Sequence, residues 1–402
     1  MNVGEILLKL WTDSGFAAFG EPGGWKYLVM IAIACVLLYL GIVKKFEPLL
    51  LVGIAFGCLL ANLPKAGLYT PELWDAFMDV NNPAYHSFGT IMKSGGLLDI
   101  FYIGVKAGIY PCIIFMGVGA MTDFGPLLSN PKLFLCGAAA QAGIFLTIII
   151  AVILGFDLKD AASIAIIGAA DGPTSIFVAN SFESRYVGAI MVAAYSYMAL
   201  VPLVQPPVIR LLTSKKERQI HMEYKPGQVS RTAKILFPIA ITAVTGIVSP
   251  KSVALIGFLM FGNLIRECGV LDSLSETAQK VLANLVTLFL GITIATKMQA
   301  KYFLTKETLM ILGLGLVAFI FDTAGGVIFA KVLNLFLPKG KKVNPMIGAA
   351  GISAFPMSAR VVHKMGLKED NQNFLLMHAI GVNVSGQIAS VIAGGMILNL
   401  IG

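Results

Sequence analysis

The chain has 402 residues, 57% hydrophobic and 13% charged, with a mean hydropathy of +0.81. That charged fraction is about half of what soluble domains carry, and apolar runs of spanning length recur, which excludes a soluble globular enzyme. The formal charge of +8 would suggest nucleic acid in a soluble protein; here it reflects basic loops on the cytoplasmic side, and no nucleic acid is expected.

Residues 1–26 read as a short amphipathic lead-in with Trp11 and Trp25 near an interface, and no cleavable signal peptide is expected. Spans are expected at Tyr27–Val43, closed by Lys44 and Lys45, and at Phe46–Leu63. A polar connector, 64–97, carries Pro71, Trp74, Asp75 and Asn81–Pro83. Further spans run at about 101–122, 133–154 and 186–212, with an interrupted segment, 160–180, before the last of these. A hydrophilic loop with six Lys/Arg occupies 213–234. Apolar runs follow at about 235–249, 253–265, 281–296 and 308–336; a second interrupted segment, 344–361, precedes a final span at 374–400. Cys35, Cys58, Cys112, Cys136 and Cys268 lack metal-ligand spacing and read as packing residues.

The halves repeat. Gly117–Thr122 resembles Gly291–Thr296, and Ile167–Ala170 recurs as Ile347–Ala350, in the same order. The distribution of basic residues sets the orientation. With Lys44 and Lys45 in the cytoplasm, a re-entrant 160–180 also places the basic loop, Lys339, Lys341, Lys342, Arg360, Lys364 and Lys368 inside. Lys297, Lys301 and Lys306 fit poorly. The same count runs 101–122 and 281–296 in opposite directions, so the repeat is inverted, as in secondary transporters. The expected fold is all-α: a polytopic membrane protein with about ten spanning helices and two re-entrant broken segments. It divides into N-terminal helices and connector (1–97), a first transport repeat (98–212), a cytoplasmic basic loop (213–234) and a second transport repeat (235–402).

The chemistry concentrates in the interruptions. Asp171 lies in IAIIGAADGPTSIFVAN (164–180), where Gly168, Gly172 and Pro173 weaken a helix. An acid at membrane depth costs several kcal/mol unless paired, and broken backbone there marks ion sites. Thr174 and Ser175 add neutral oxygens, as do Asn344, Ser353 and Ser358 in the second interruption, beside the cation Arg360. The last span carries Asn383, Ser385 and Gln387. Oxygen ligands suit a hard monovalent cation, so Na+ is expected rather than a transition metal. Asn383 and Ser385 would equally serve interhelical hydrogen bonds. Nothing in the sequence ties Asp322, in FDTAGG, to these segments. Tyr195 and Tyr197 lie on the span after Asp171, where a buried phenol is a proton donor or a packing ring. No Walker or Rossmann loop and no biotin-attachment Met-Lys-Met occurs. These residues alone fit a sodium-coupled carboxylate symporter or a sodium/proton exchanger.

GAADGPTSIF (168–177), TAGGVIFAKVLNLF (323–336), NPMIGAAGISAFPMSARV (344–361) and NFLLMHAIGVNVSGQIAS (373–390) resemble the beta subunit of the sodium-pumping, biotin-dependent decarboxylases. That family acts on oxaloacetate, methylmalonyl-CoA or glutaconyl-CoA. The resemblance implies a carboxybiotin decarboxylase in the cell (inner) membrane, moving Na+ outward and consuming a proton. Carboxybiotin would come from a biotin-carrier subunit, with a carboxyltransferase subunit and a small gamma or delta membrane subunit as further partners, and a homo-oligomer is expected. It implies Na+ ligation by Asp171, Asn383, Asn344, Ser353 and Gly348. Tyr197, Ser353 and Arg360 would be the catalytic residues, with Arg360 also binding carboxybiotin. Ala170 and Val382 depart from the family pattern without removing a ligand.

Overall fold

The computed structural model describes residues 3–45, 48–223, 229–338, 340–354 and 356–402. Lys339 and residues 224–228 of the basic loop therefore lie outside the described residues. The protein is helical, with no strand among the described residues. The helices used below are α1 (Trp25–Ile42), α2 (Pro48–Ala61), α3 (Leu97–Lys106), α4 (Ile109–Met121), α5 (Leu133–Ile153), α6 (Leu158–Ala165), α7 (Gly172–Ser181) and α8 (Val187–Leu212). After the basic loop come α9 (Arg231–Val248), α10 (Val253–Glu267), α11 (Asp272–Lys297), α12 (Lys306–Phe336), α13 (Met357–Glu369) and α14 (Leu376–Ile401).

Among the described residues, seven helices are long and apolar enough to cross a membrane, or eight if α3 and α4 count as one span. α2 and α10, at 14 and 15 residues, are shorter than the roughly 20 that a full crossing takes. Those two are the expected spans, among about ten, that fall short of a full crossing. α14 is the most enclosed, with residues 381–391 buried without interruption. Gly381, Ser385, Gly386 and Ala389 keep its surface narrow, which lets neighbouring backbones come close where apolar lipid gives helices little reason to associate.

The chain divides into two compact units. One comprises residues 1–110 and 285–309. In it α2 packs on α1, and Asn62 at the end of α2 clamps the segment after α11. Its amide donates to Met298 O at 2.8 Å and its oxygen accepts from Ala300 N at 2.8 Å. The Lys297 ammonium lies over the rings of Tyr69, Trp74 and Tyr102, 4.6 Å from the centroid of Tyr102. Asp99 braces this cage by accepting from Trp74 Nε1, Thr70 N and Gly96 N. Ring faces hold a cation away from bulk water. Lys297 is thus a packed residue rather than a loop charge, which is why it fits poorly when basic residues are counted by side.

The other unit comprises residues 111–284 and 310–402 and contains both interruptions. The shared Ile-Gly-Ala is 3-10 helix each time, within Ile166–Ala169 and within Pro345–Gly351; the next alanine differs, Ala170 leaving the first turn while Ala350 stays inside the second. The basic loop folds back onto the second of these. Asn344 donates to Arg218 O (2.7 Å) and Ile220 O (3.0 Å), Asn373 donates to Ile220 O, and Arg218 pairs with Glu369 at 2.8 Å. Lys331 on α12 pairs with Glu217 at 3.2 Å.

Candidate functional site

The first interruption is built by its own sequence. Ala170 adopts φ +50°, a left-handed conformation that ends the 3-10 turn. Asp171 then caps α7: its Oδ1 accepts from Thr174 N at 3.3 Å and its Oδ2 from Thr174 Oγ1 at 2.7 Å. Pro173 falls in the first turn, where its missing N–H costs no helical hydrogen bond. The cap also places the carboxylate at the positive end of the α7 dipole, which offsets part of the cost of burying it. The Tyr195 ring packs where a side chain at position 172 would stand, so only glycine fits after the acid.

The two interruptions meet. Ser353 N donates to Ala169 O at 2.8 Å, joining the second break to the first. Ser390 of α14 bridges them through side chains: its hydroxyl lies 2.9 Å from Asp171 Oδ2 and 2.7 Å from Ser353 Oγ. Ser353 Oγ also lies 3.1 Å from Gly386 O. A carboxylate, three hydroxyls and main-chain carbonyls therefore converge where the breaks touch. Hard monovalent cations favour such an oxygen set, and no His/Cys/Asp/Glu cluster suited to a metal occurs among the described residues.

The second break is held by amide side chains from several helices. Asn383 donates to Ile352 O (2.7 Å), Ala350 O (3.1 Å) and Ser358 Oγ (2.9 Å). Gln205 donates to Ala349 O (2.7 Å) and Gln141 to Gly351 O (3.1 Å). Each spends its NH2 on the unwound backbone and leaves its own amide oxygen buried without a donor. A buried acceptor without a donor costs about 1–3 kcal/mol, so these oxygens are available to a cation.

The sequence-selected residues are only partly brought together. Asp171 and Ser353 share Ser390. Asn383 stands two turns earlier on α14, about 10 Å along the axis, and bonds the second break rather than Asp171. Gly348 packs against Gly326 of α12 so closely that a Cβ on either would strike the other's carbonyl oxygen. Asn344 caps the second 3-10 helix, accepting from Met346 N at 3.1 Å, and anchors the basic loop. The Tyr197 hydroxyl donates to Leu312 O on α12, and its ring packs against Gly315. Arg360 is exposed one turn into α13. Ser390, Gln141 and Gln205 were not singled out from the sequence. Ser390 had a signal: it follows Asn383 by seven residues, on the same helical face.

A polytopic helical membrane protein with a buried acid where two broken segments meet falls in the class that includes secondary ion transporters. A family model described as "Na+-transporting oxaloacetate decarboxylase beta subunit" matches residues 26–401. The chain is 49% identical to methylmalonyl-CoA decarboxylase subunit beta of Propionigenium modestum over 99% of its own length and 100% of that relative's. It is 49% identical to glutaconyl-CoA decarboxylase subunit beta of Acidaminococcus fermentans, covering 97% and 96% of the two chains. To oxaloacetate decarboxylase beta chain of Klebsiella pneumoniae it is 46% identical, covering 93% and 94%. The chain belongs to the family of Na+-transporting decarboxylase beta subunits. It is accordingly a multi-pass membrane subunit of a sodium-transporting decarboxylase that contains further subunits.

Proposed function

We propose that the chain removes CO2 from carboxybiotin, delivered by a biotin-carrier subunit, and uses that step to move Na+ outward with uptake of a proton. A carboxyltransferase subunit and a small gamma or delta membrane subunit complete the assembly, with more than one copy of this chain. The carrying observation is the junction itself: Asp171, Ser390 and Ser353 linked side chain to side chain where the interruptions join.

Sodium is the cargo. In this reading Asp171 supplies its charge and Ser353 a neutral ligand, while Asn383 adds a free amide oxygen two turns along α14. Asn344 and Gly348 hold the second break in register with the basic loop and α12. Residues 98–212 and 235–402 act as two inverted transport repeats around the 213–234 loop, after N-terminal helices and a connector over 1–97. Arg360, exposed beside the second break, attracts the carboxylate of carboxybiotin, because a planar guanidinium pairs with it through two parallel bonds. Loss of CO2 leaves a ring nitrogen that must gain a proton, and Tyr197 belongs to that coupling step.

The test uses the assembled complex in membranes given a carboxylated biotin carrier. CO2 release should require Na+, stop with avidin, and be lost or strongly reduced with Asp171→Asn. CO2 release that ignores both Na+ and avidin would refute the reading.

A further inference from the structure

Two buried acids of the second unit are left unused by this mechanism: Asp160, which is held by Ser184 and Arg185, and Asp322, which has no such side-chain partner among the described residues. Asp322 is fully buried in the middle of α12, in apolar surroundings. Its Oδ1 accepts from Ile144 N at 3.0 Å and lies against the neighbouring Gly143, both on α5. Its Oδ2 has no hydrogen-bond partner. Two glycines make room for it: a Cβ at Gly143 would strike Oδ1, and one at Gly168 would lie 2.6 Å from Oδ2. Gly168 belongs to the first interruption, three residues before Asp171. The carboxyl therefore presses on the 3-10 turn from one side, while Asp171 faces Ser390 from just beyond it.

The face of α12 that carries Asp322 follows both breaks. Gly315 lies against Ile167, Ala318 against Gly168, and Gly326 against Gly348. These positions recur at helical spacing, so α12 is a single rail touching the first break near its middle and the second a turn beyond Asp322. The groups seen beside the carboxyl are the backbone of Gly143 and Ile144 from α5 and Gly168 from the first break, with Ala318 of its own helix against that same glycine. None is charged, and no ion pair to Asp322 occurs among the described residues. A lone carboxylate in such a place is far costlier than a neutral acid. Packing against Gly168 leaves Oδ2 open to an ion as small as a proton rather than to one needing five or six oxygen ligands.

We propose that Asp322 is a proton-binding site coupled to the sodium site through the first interruption, an inference that rests on the function proposed above. When sodium binds at Asp171 and shifts the Ile166–Ala169 turn, Gly168 moves off the carboxyl, water reaches Oδ2, and the O–H bond breaks to release H+ and leave the carboxylate. When sodium leaves, the turn closes again and the carboxylate regains a proton. Linkage makes the coupling reciprocal: whatever favours the proton at Asp322 weakens sodium at Asp171.

Two measurements on the complete complex test this. The first is sodium activation of CO2 release as a function of pH, in wild type and in Asp322→Asn, which keeps the shape and removes the titrating group. One linked proton steepens the rise of apparent sodium affinity by about tenfold per pH unit. Asp322→Asn should lose that increment, whereas an unchanged pH–sodium relationship would overturn the proposal. The second is carbodiimide labelling of the wild type, mapped by mass spectrometry, which needs neither turnover nor a folded variant. A neutral buried acid should give an adduct on Asp322 that Na+ suppresses. No adduct, or one indifferent to Na+, would overturn the proposal while leaving sodium-dependent, avidin-sensitive decarboxylation standing.

Discussion

Removing the Ser390 hydroxyl isolates the link between the two interruptions. In Ser390→Ala the Asp171 carboxylate loses a 2.9 Å hydrogen bond and Ser353 loses its 2.7 Å contact, while Thr174 still caps the acid. A hydrogen bond to an ionised group is worth about 1.5–3 kcal/mol. Each 1.4 kcal/mol is a factor of about ten in an equilibrium constant. Half-saturation by sodium should therefore rise at least about tenfold if the hydroxyl orients Asp171 for the ion. The helix itself should survive, since the only backbone atom of its own helix that the single Ser390 O–H reaches is Gln387 O, in competition with Asp171. The assay is sodium-dependent CO2 release by the reconstituted complex at constant ionic strength, with assembly checked by gel filtration. An assembled variant with wild-type sodium half-saturation would show that the Asp171–Ser390–Ser353 chain is packing alone.

Gly326→Ala places a methyl against the carbonyl oxygen of Gly348, a backbone atom that cannot rotate away. It should destabilise the protein by about 1–3 kcal/mol, and an unchanged thermal midpoint in detergent would refute that contact. Arg360→Lys keeps the charge but not the paired geometry, so turnover at limiting carboxylated carrier should fall. Full activity there would leave Arg360 as a charge at a helix end. Burial pushes Glu217 upward, but hydrogen bonds from Ser214 and its pairing with Lys331 outweigh this and hold its carboxyl below the usual range. Its stabilisation of the basic loop is complete above the unfolded glutamate value of about 4.3 and is lost as pH falls through the lowered folded value. Proteolysis near residues 214–220 should accelerate on acidification in wild type, and that acceleration should be missing from Glu217→Gln.

Hydropathy alone determined that this chain is a polytopic helical membrane protein, because lipid forces every backbone group to bond within its own helix. The two interruptions were legible for the same reason: Gly168, Asp171, Gly172 and Pro173 stand out against apolar neighbours, and the repeated Ile-Gly-Ala is 3-10 helix in both. Their meeting was not legible, because the hydrogen bond from Ser353 to Ala169 joins residues separated along the chain by the six helices α7–α12 and depends on how those helices pack. The same holds for Asp322. In the sequence it is an isolated acid in an apolar run; only packing against Gly143 and Gly168 places it on the first break. Lys297 is the converse case, a charge that sequence counting treats as a loop residue and tertiary structure folds under three aromatic rings. Local sequence decides where a helix breaks, since backbone strain and capping act within a few residues. Which polar groups share the break is decided by side chains arriving from distant helices, and no periodicity along the chain records that.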